Sequence, residues 1–179
     1  MTAPEIGGAV GGLRVLAAFA AVSIALVLQV SVFSHLSWAG IVPNLCLLVV
    51  VGAALTRGPQ FGAALGFAAG VALDLAPPAD HIAGRWALAL VVVGYVAGLV
   101  RQDGKPTAST VVLTVAASSF VGTSLFALTG ILLDDPAVGI PELLRVIGVS
   151  ILFDLLLTPF VLPPVMAMFR RLEPDRALA

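Results

Sequence analysis

Four glycines at strict four-residue spacing, Gly58, Gly62, Gly66 and Gly70, lead to Asp74 on the next position of the same row. On a helix, residues four apart stack along one face, so this segment presents a bare strip closed by a carboxylate. In water such a helix is penalised, because each internal glycine costs up to about 1 kcal/mol relative to alanine. In a bilayer the strip becomes useful: small residues let two helix backbones approach where lipid supplies no hydrophobic drive for association. The remaining sequence favours the second setting, since 60% of its 179 residues are hydrophobic and only 11% charged, against about 25% charged in a soluble domain. The expected fold class is an all-α integral membrane protein.

Turn and proline positions divide the apolar sequence into six helices, at about 13–33, 41–55, 60–75, 85–100, 107–133 and 142–169. Residues 1–12 are a short glycine-rich segment expected to fray, and 170–179 a polar tail. The run 15–32 is longer than a signal-peptide core and no small-x-small cleavage site follows it, so it reads as a retained first helix. Pro43 suits the first turn of the second helix, whereas Pro159, Pro163 and Pro164 are expected to break up the second half of the sixth. The second and third stretches fall short of the ~20 residues of a perpendicular crossing, so fusing them is the competing topology. Charge placement separates the two. Six crossings with both termini cytoplasmic put seven of the nine Lys and Arg inside and leave only Arg85 and Arg145 outside. Fusion buries Arg57 and splits the other eight 5 to 3, a poorer match to the positive-inside rule. A six-transmembrane-helix bundle is therefore expected.

The chemistry-bearing residues are few. A net charge of −1 offers no basic field for nucleic acid, and Cys46, the single cysteine, cannot form an internal disulfide. His35 and His81 both fall in expected outer loops and belong to no metal-ligand spacing, and there is no GxSxG, no phosphate-cradling loop and no pair of carboxylates spaced for general acid–base work. No catalytic residue, cofactor or metal is expected, and the chain reads as a non-enzyme. The helix-packing or partner-docking candidates are Gly58, Gly62, Gly66 and Gly70, with Gly94 and Gly98 at GxxxG spacing. The row either packs within the bundle or docks a transmembrane helix of another protein. The polar candidates are Asn44, Asp74, Arg85 and Asp154. Asp74 and Arg85 bracket an outer turn and either pair with each other or meet water and headgroups. Asp154, amid apolar neighbours, needs a partner, with Gln29 or a hydroxyl of the fifth helix in reach. It either fixes helix register or marks a pathway or partner contact. Asp134, Asp135 and Glu142 make an acidic turn that helix termination explains.

Several of these residues form a familiar pattern. Pro43-Asn44-Leu45, then Arg57-Gly58, then the run from Gly62 through Gly66 and Gly70 to Asp74, then Gly84 and the segment from Gly94 to Asp103 resemble the rod shape-determining protein MreD family of bacteria. The likeness covers about 41–103, and Asn44 stands where that family usually has aspartate. The resemblance implies a multi-pass inner-membrane scaffold of the cell-wall elongation machinery. Its implied partners are a bitopic MreC-like protein, an MreB-like actin, a glycan polymerase with its transpeptidase, and the lipid bilayer, with self-association left open. It also implies a fold similar to the substrate-binding subunits of energy-coupling-factor vitamin transporters, six-helix bundles with a pocket open to the outer face. A small-molecule binder of that kind is the second reading, although Trp38 and Trp86 are nearly the only aromatic residues in the outer loops. A carrier or membrane enzyme centred on Asp154 is the third.

Overall fold

The computed structural model describes residues 5–35, 37–38, 40–77, 81–101, 106–133 and 139–172. They form six helices: α1 (Glu5–Leu28), α2 (Leu45–Arg57), α3 (Pro59–Leu75), α4 (Arg85–Leu99), α5 (Ala108–Leu132) and α6 (Ile140–Arg171). A π turn, Gln29–Phe33, extends α1, and the described residues include no strand beyond an isolated bridge between Trp38 and Ile41. Three stretches, Gly12–Phe33, Ala108–Leu132 and Ile140–Arg171, are long and apolar enough to cross a membrane. The other three helices are apolar but only 13, 17 and 15 residues long, or about 20–25 Å at 1.5 Å per residue.

The core is built around α2. Every residue of this helix except Arg57 is buried, and it touches all five other helices. A helix apolar on all sides has no solvent face to offer, so a central position is the one that satisfies it. Helix ends alternate between the two ends of the bundle. At one, Arg14 Nε of α1 donates to the Leu172 carbonyl beyond α6 at 2.7 Å, joining the first and last helices. At the other, the Arg145 guanidinium lies 5.9 Å from the Trp38 ring centroid.

Three boundaries differ from expectation. Helix α1 begins at Glu5, within the segment expected to fray. Helix α2 begins at Leu45 rather than near 41: Asn44, at φ −94° and ψ 85°, is its N-cap, and Pro43 lies outside the helix. Helix α6 continues unbroken through Pro159, Pro163 and Pro164. Its second half is clamped by the buried Leu162, Met166 and Phe169, and the Phe169 ring meets Phe61 of α3 edge-on at 5.6 Å. That packing, in a setting where helix is the only economical backbone state, outweighs the hydrogen bonds the prolines remove. Pro78, Asp103, Lys105, Asp134, Asp135, Arg176 and most of the polar tail lie outside the described residues.

Candidate functional site

The glycine strip of α3 faces α4, and the two helices interlock in antiparallel register. Adding a Cβ shows how close they are. On Gly66 it would stand 2.6 Å from the Leu90 carbonyl carbon, and on Gly70 2.5 Å from the Ala87 amide nitrogen. On Gly62 it would meet the Gly94 backbone and, at 2.7 Å, Ala54 Cβ of α2. Gly94 in turn approaches Gly62 and, at 3.0 Å, the Ala63 nitrogen; a Cβ on Gly98 would lie 2.6 Å from the Gly58 carbonyl carbon. Apart from Ala54 Cβ, which has no rotamer to change, these neighbours are backbone atoms that cannot swing aside. Thus α4 fills the strip, leaving that face no room for a helix of another protein. Gly58, at the end of the seam, has a further role: it closes α2 and opens α3 at φ 90°, a left-handed conformation suited to glycine, with Pro59 at the first position of α3.

Asp74, at the end of the strip, caps α4. The N-cap residue of α4 is Gly84, at φ 101°, which has no side chain to accept from the first turn. Asp74 supplies that acceptor from α3. Its Oδ2 accepts from Gly84 N at 2.8 Å and Ala87 N at 3.0 Å, and its Oδ1 from Trp86 N at 3.1 Å. His81 Nε2 lies 3.0 Å from the same Oδ1. A buried carboxylate facing a helix N-terminus is favoured by both the amide hydrogens and the helix dipole.

Arg85, next in the chain, turns toward α5. Only 6% exposed, it donates from Nε and Nη2 to the Phe126 carbonyl at 3.2 and 2.7 Å, with its Cζ 3.9 Å from that residue's ring centroid. Trp86 stacks on the same ring at 4.4 Å and His81 meets it edge-on at 5.1 Å. The bare Cα of Gly130 makes room for the guanidinium, since a Cβ there would lie 2.8 Å from Arg85 Cζ. Phe126 and Gly130 were invisible as partners in the sequence, where one is another apolar residue and the other an isolated helical glycine. Phe126→Leu removes the stack and the cation–π contact together. We expect it to cost about 1–3 kcal/mol and to lower the thermal midpoint in detergent, with Phe120→Leu, on an exposed face of the same helix, as the silent control.

A second polar joint lies deeper. Asp154 of α6 is 1% exposed, and its Oδ1 accepts from the backbone nitrogen of Asn44 at 2.9 Å. Asn44 Oδ1 accepts from Leu47 N at 2.9 Å, and Gln29 Oε1 of the π turn accepts from Cys46 N at 3.3 Å. Three separate side chains therefore take up the amides that open α2. Ser119 of α5, fully buried, lies beside the Asp154 carboxyl group. Of the two partners expected for Asp154, the fifth-helix hydroxyl is its neighbour, while Gln29 serves Cys46 instead. The Asn44 amide was missed because a backbone donor carries no signature in sequence.

Among the described residues no three His, Cys, Asp or Glu side chains group as metal ligands. A large groove, about 570 Å³, runs between α5 and α6 and is lined by Val111, Leu155, Leu162, Met166 and other apolar residues, with Thr158 and Arg170 as its polar members. Neither Asp74 nor Asp154 lines it, although Leu155 and Thr158, neighbours of Asp154 on α6, do. No family model, no curated protein and no solved structure matches the chain.

Proposed function

We propose that the chain is a non-catalytic membrane scaffold of the MreD type, a six-crossing bundle with both termini cytoplasmic in the inner membrane of a bacterium. Its action is to hold a bitopic MreC-like partner beside the elongation machinery. One observation carries the reading: the residues behind the resemblance to that family are joints between helices. Asn44 receives α6, Gly58 links α2 to α3, Gly62, Gly66 and Gly70 seat α4, and Asp74 caps α4. None of them lines the large groove. A motif spent on mutual helix placement suits a protein that acts by shape, whereas a binder or enzyme concentrates its distinctive residues around a ligand. The arrangement of cations supports the orientation. Arg14, Arg57, Arg101, Arg170 and Arg171 gather at the end where α1 starts and α6 finishes, with Arg85 and Arg145 at the other.

The vitamin-binder reading gains less. It calls for a pocket open to the outer face, and the large groove instead reaches Arg170, at the end assigned here to the cytoplasm. A pull-down in mild detergent, with mass spectrometry of proteins and small molecules, separates the two. The scaffold reading expects an MreC-like protein and elongation enzymes in the eluate, and rounded cells on depletion. A stoichiometric small molecule with no elongation protein contradicts it.

A further inference from the structure

Two furrows flank the second half of α6 and open toward the end of the bundle that holds Arg14, Arg170 and Arg171. The larger is the groove against α5, walled by Val111, Val112, Leu155, Leu162 and Met166, and it reaches Arg170. The second, about 490 Å³, lies against α1 between Ala17, Pro164 and Met168, and it reaches Arg171 and Leu172. Ala167, an exposed residue of α6, borders both. From Leu155 to Arg170 the helix rises about 22 Å at 1.5 Å per residue, enough to cross the roughly 15 Å of hydrocarbon in one leaflet.

Polarity is confined to the mouth. The Thr158 hydroxyl donates to the Asp154 carbonyl of its own helix at 2.7 Å, so it adds little polarity to the wall of the larger furrow. At the mouth Arg170 and Arg171 close α6, and Arg14 Nε donates to the carbonyl of Leu172, which borders the second furrow. A guanidinium suits phosphate, and a long apolar channel suits an acyl chain. The helix of another protein fits less well. The α3–α4 seam shows that seating a helix here takes a strip of glycines, whereas the walls of the larger furrow are valine, leucine and methionine.

We propose that the end of α6 binds one anionic phospholipid, its phosphate held by Arg170 and Arg171 and its two acyl chains lying in the furrows on either side of Ala167. Basic pockets between transmembrane helices on the cytoplasmic side are suited to anionic headgroups. The bound lipid ties α1, α5 and α6 together at the end where their ends meet one leaflet. This inference rests on the membrane setting of the bundle and not on the scaffold reading, so either stands if the other fails.

Native mass spectrometry of the purified full chain tests it, with phosphatidylglycerol and phosphatidylcholine of identical chains supplied in equal amounts. The unaltered protein should retain one phosphatidylglycerol in preference to phosphatidylcholine. Arg170→Gln should lower that preference about fivefold, the effect of about one cation at an anionic surface. Arg145→Gln, at the opposite end, should leave it unchanged. Ala167→Phe places a ring where the furrows meet and should abolish retention of both lipids, together with the rise in thermal midpoint that phosphatidylglycerol gives the unaltered protein. Equal retention of the two lipids by the unaltered protein overturns the proposal, as does an equal loss of preference in Arg170→Gln and Arg145→Gln. Cross-linking of a partner helix into the larger furrow also overturns it. Should Ala167→Phe fail to fold, the two arginine variants decide the matter alone.

Discussion

Gly66→Leu should prevent α3 and α4 from closing on one another and leave little monodisperse protein in detergent. The added Cβ alone would stand 2.6 Å from the Leu90 carbonyl carbon and 3.1 Å from the Val91 nitrogen, and the rest of the leucine has nowhere to go. Overpacking of ordinary cores costs about 1–3 kcal/mol because side chains move aside; here the obstacle is main chain, so the loss should exceed that range. Against a total stability of about 5–15 kcal/mol, this suffices to unfold much of the population. Gly148→Leu is the matched control, since no atom lies within 4 Å of a Cβ at that position of α6. Size-exclusion profiles and thermal midpoints of the two variants should diverge sharply. A well-folded Gly66→Leu protein would mean that α3 and α4 do not pack as described.

The second large effect is expected at Asp74. Asp74→Asn looks conservative, yet three backbone N–H groups converge on its two oxygens. Asparagine keeps one oxygen and turns an NH₂ toward donors, leaving at least one of Gly84 N, Trp86 N and Ala87 N unmatched. Bonds to a charged acceptor contribute about 1.5–3 kcal/mol each, and an orphaned buried donor costs about 1–3 kcal/mol. We therefore expect Asp74→Asn to destabilise by about 3 kcal/mol or more, nearly as much as Asp74→Ala. Hydrogen exchange should show it locally, with the first-turn amides of α4 losing protection ahead of the rest of the bundle. Equal protection in Asp74→Asn and the unaltered protein would contradict the cap.

What was legible in sequence followed from spacing and composition. The four-residue glycine row declares a close helix contact because only a helix turns that spacing into a strip, and proline and glycine positions located the α2–α3 junction to within two residues. Depth was not legible. The start of α2 is fixed by Asp154, 110 residues away, so local signals at Pro43 placed it too early. The π turn that brings Gln29 to Cys46 N has no sequence marker. Asp74 and Arg85 were recognised as neighbours across a turn, with pairing to each other or contact with water and headgroups as the alternatives. Asp74 instead serves amides, which every non-proline residue carries, and Arg85 a carbonyl and a ring on α5. The prolines of α6 misled for a related reason: their cost is intrinsic, whereas the packing that overrides it is tertiary.

The central claim, an alternating bundle of six crossings in which the short α2, α3 and α4 each span with their neighbours, is tested most directly by accessibility. Cys46 is fully buried, so single cysteines can be introduced in a Cys46→Ala background at Ile82 and Pro141 on one end and Thr107 and Leu172 on the other. In intact cells a membrane-impermeant maleimide should label the first two, and reach the second two only after permeabilisation. Labelling of Ile82 and Thr107 from the same side would contradict the account, because α4 would then fail to cross.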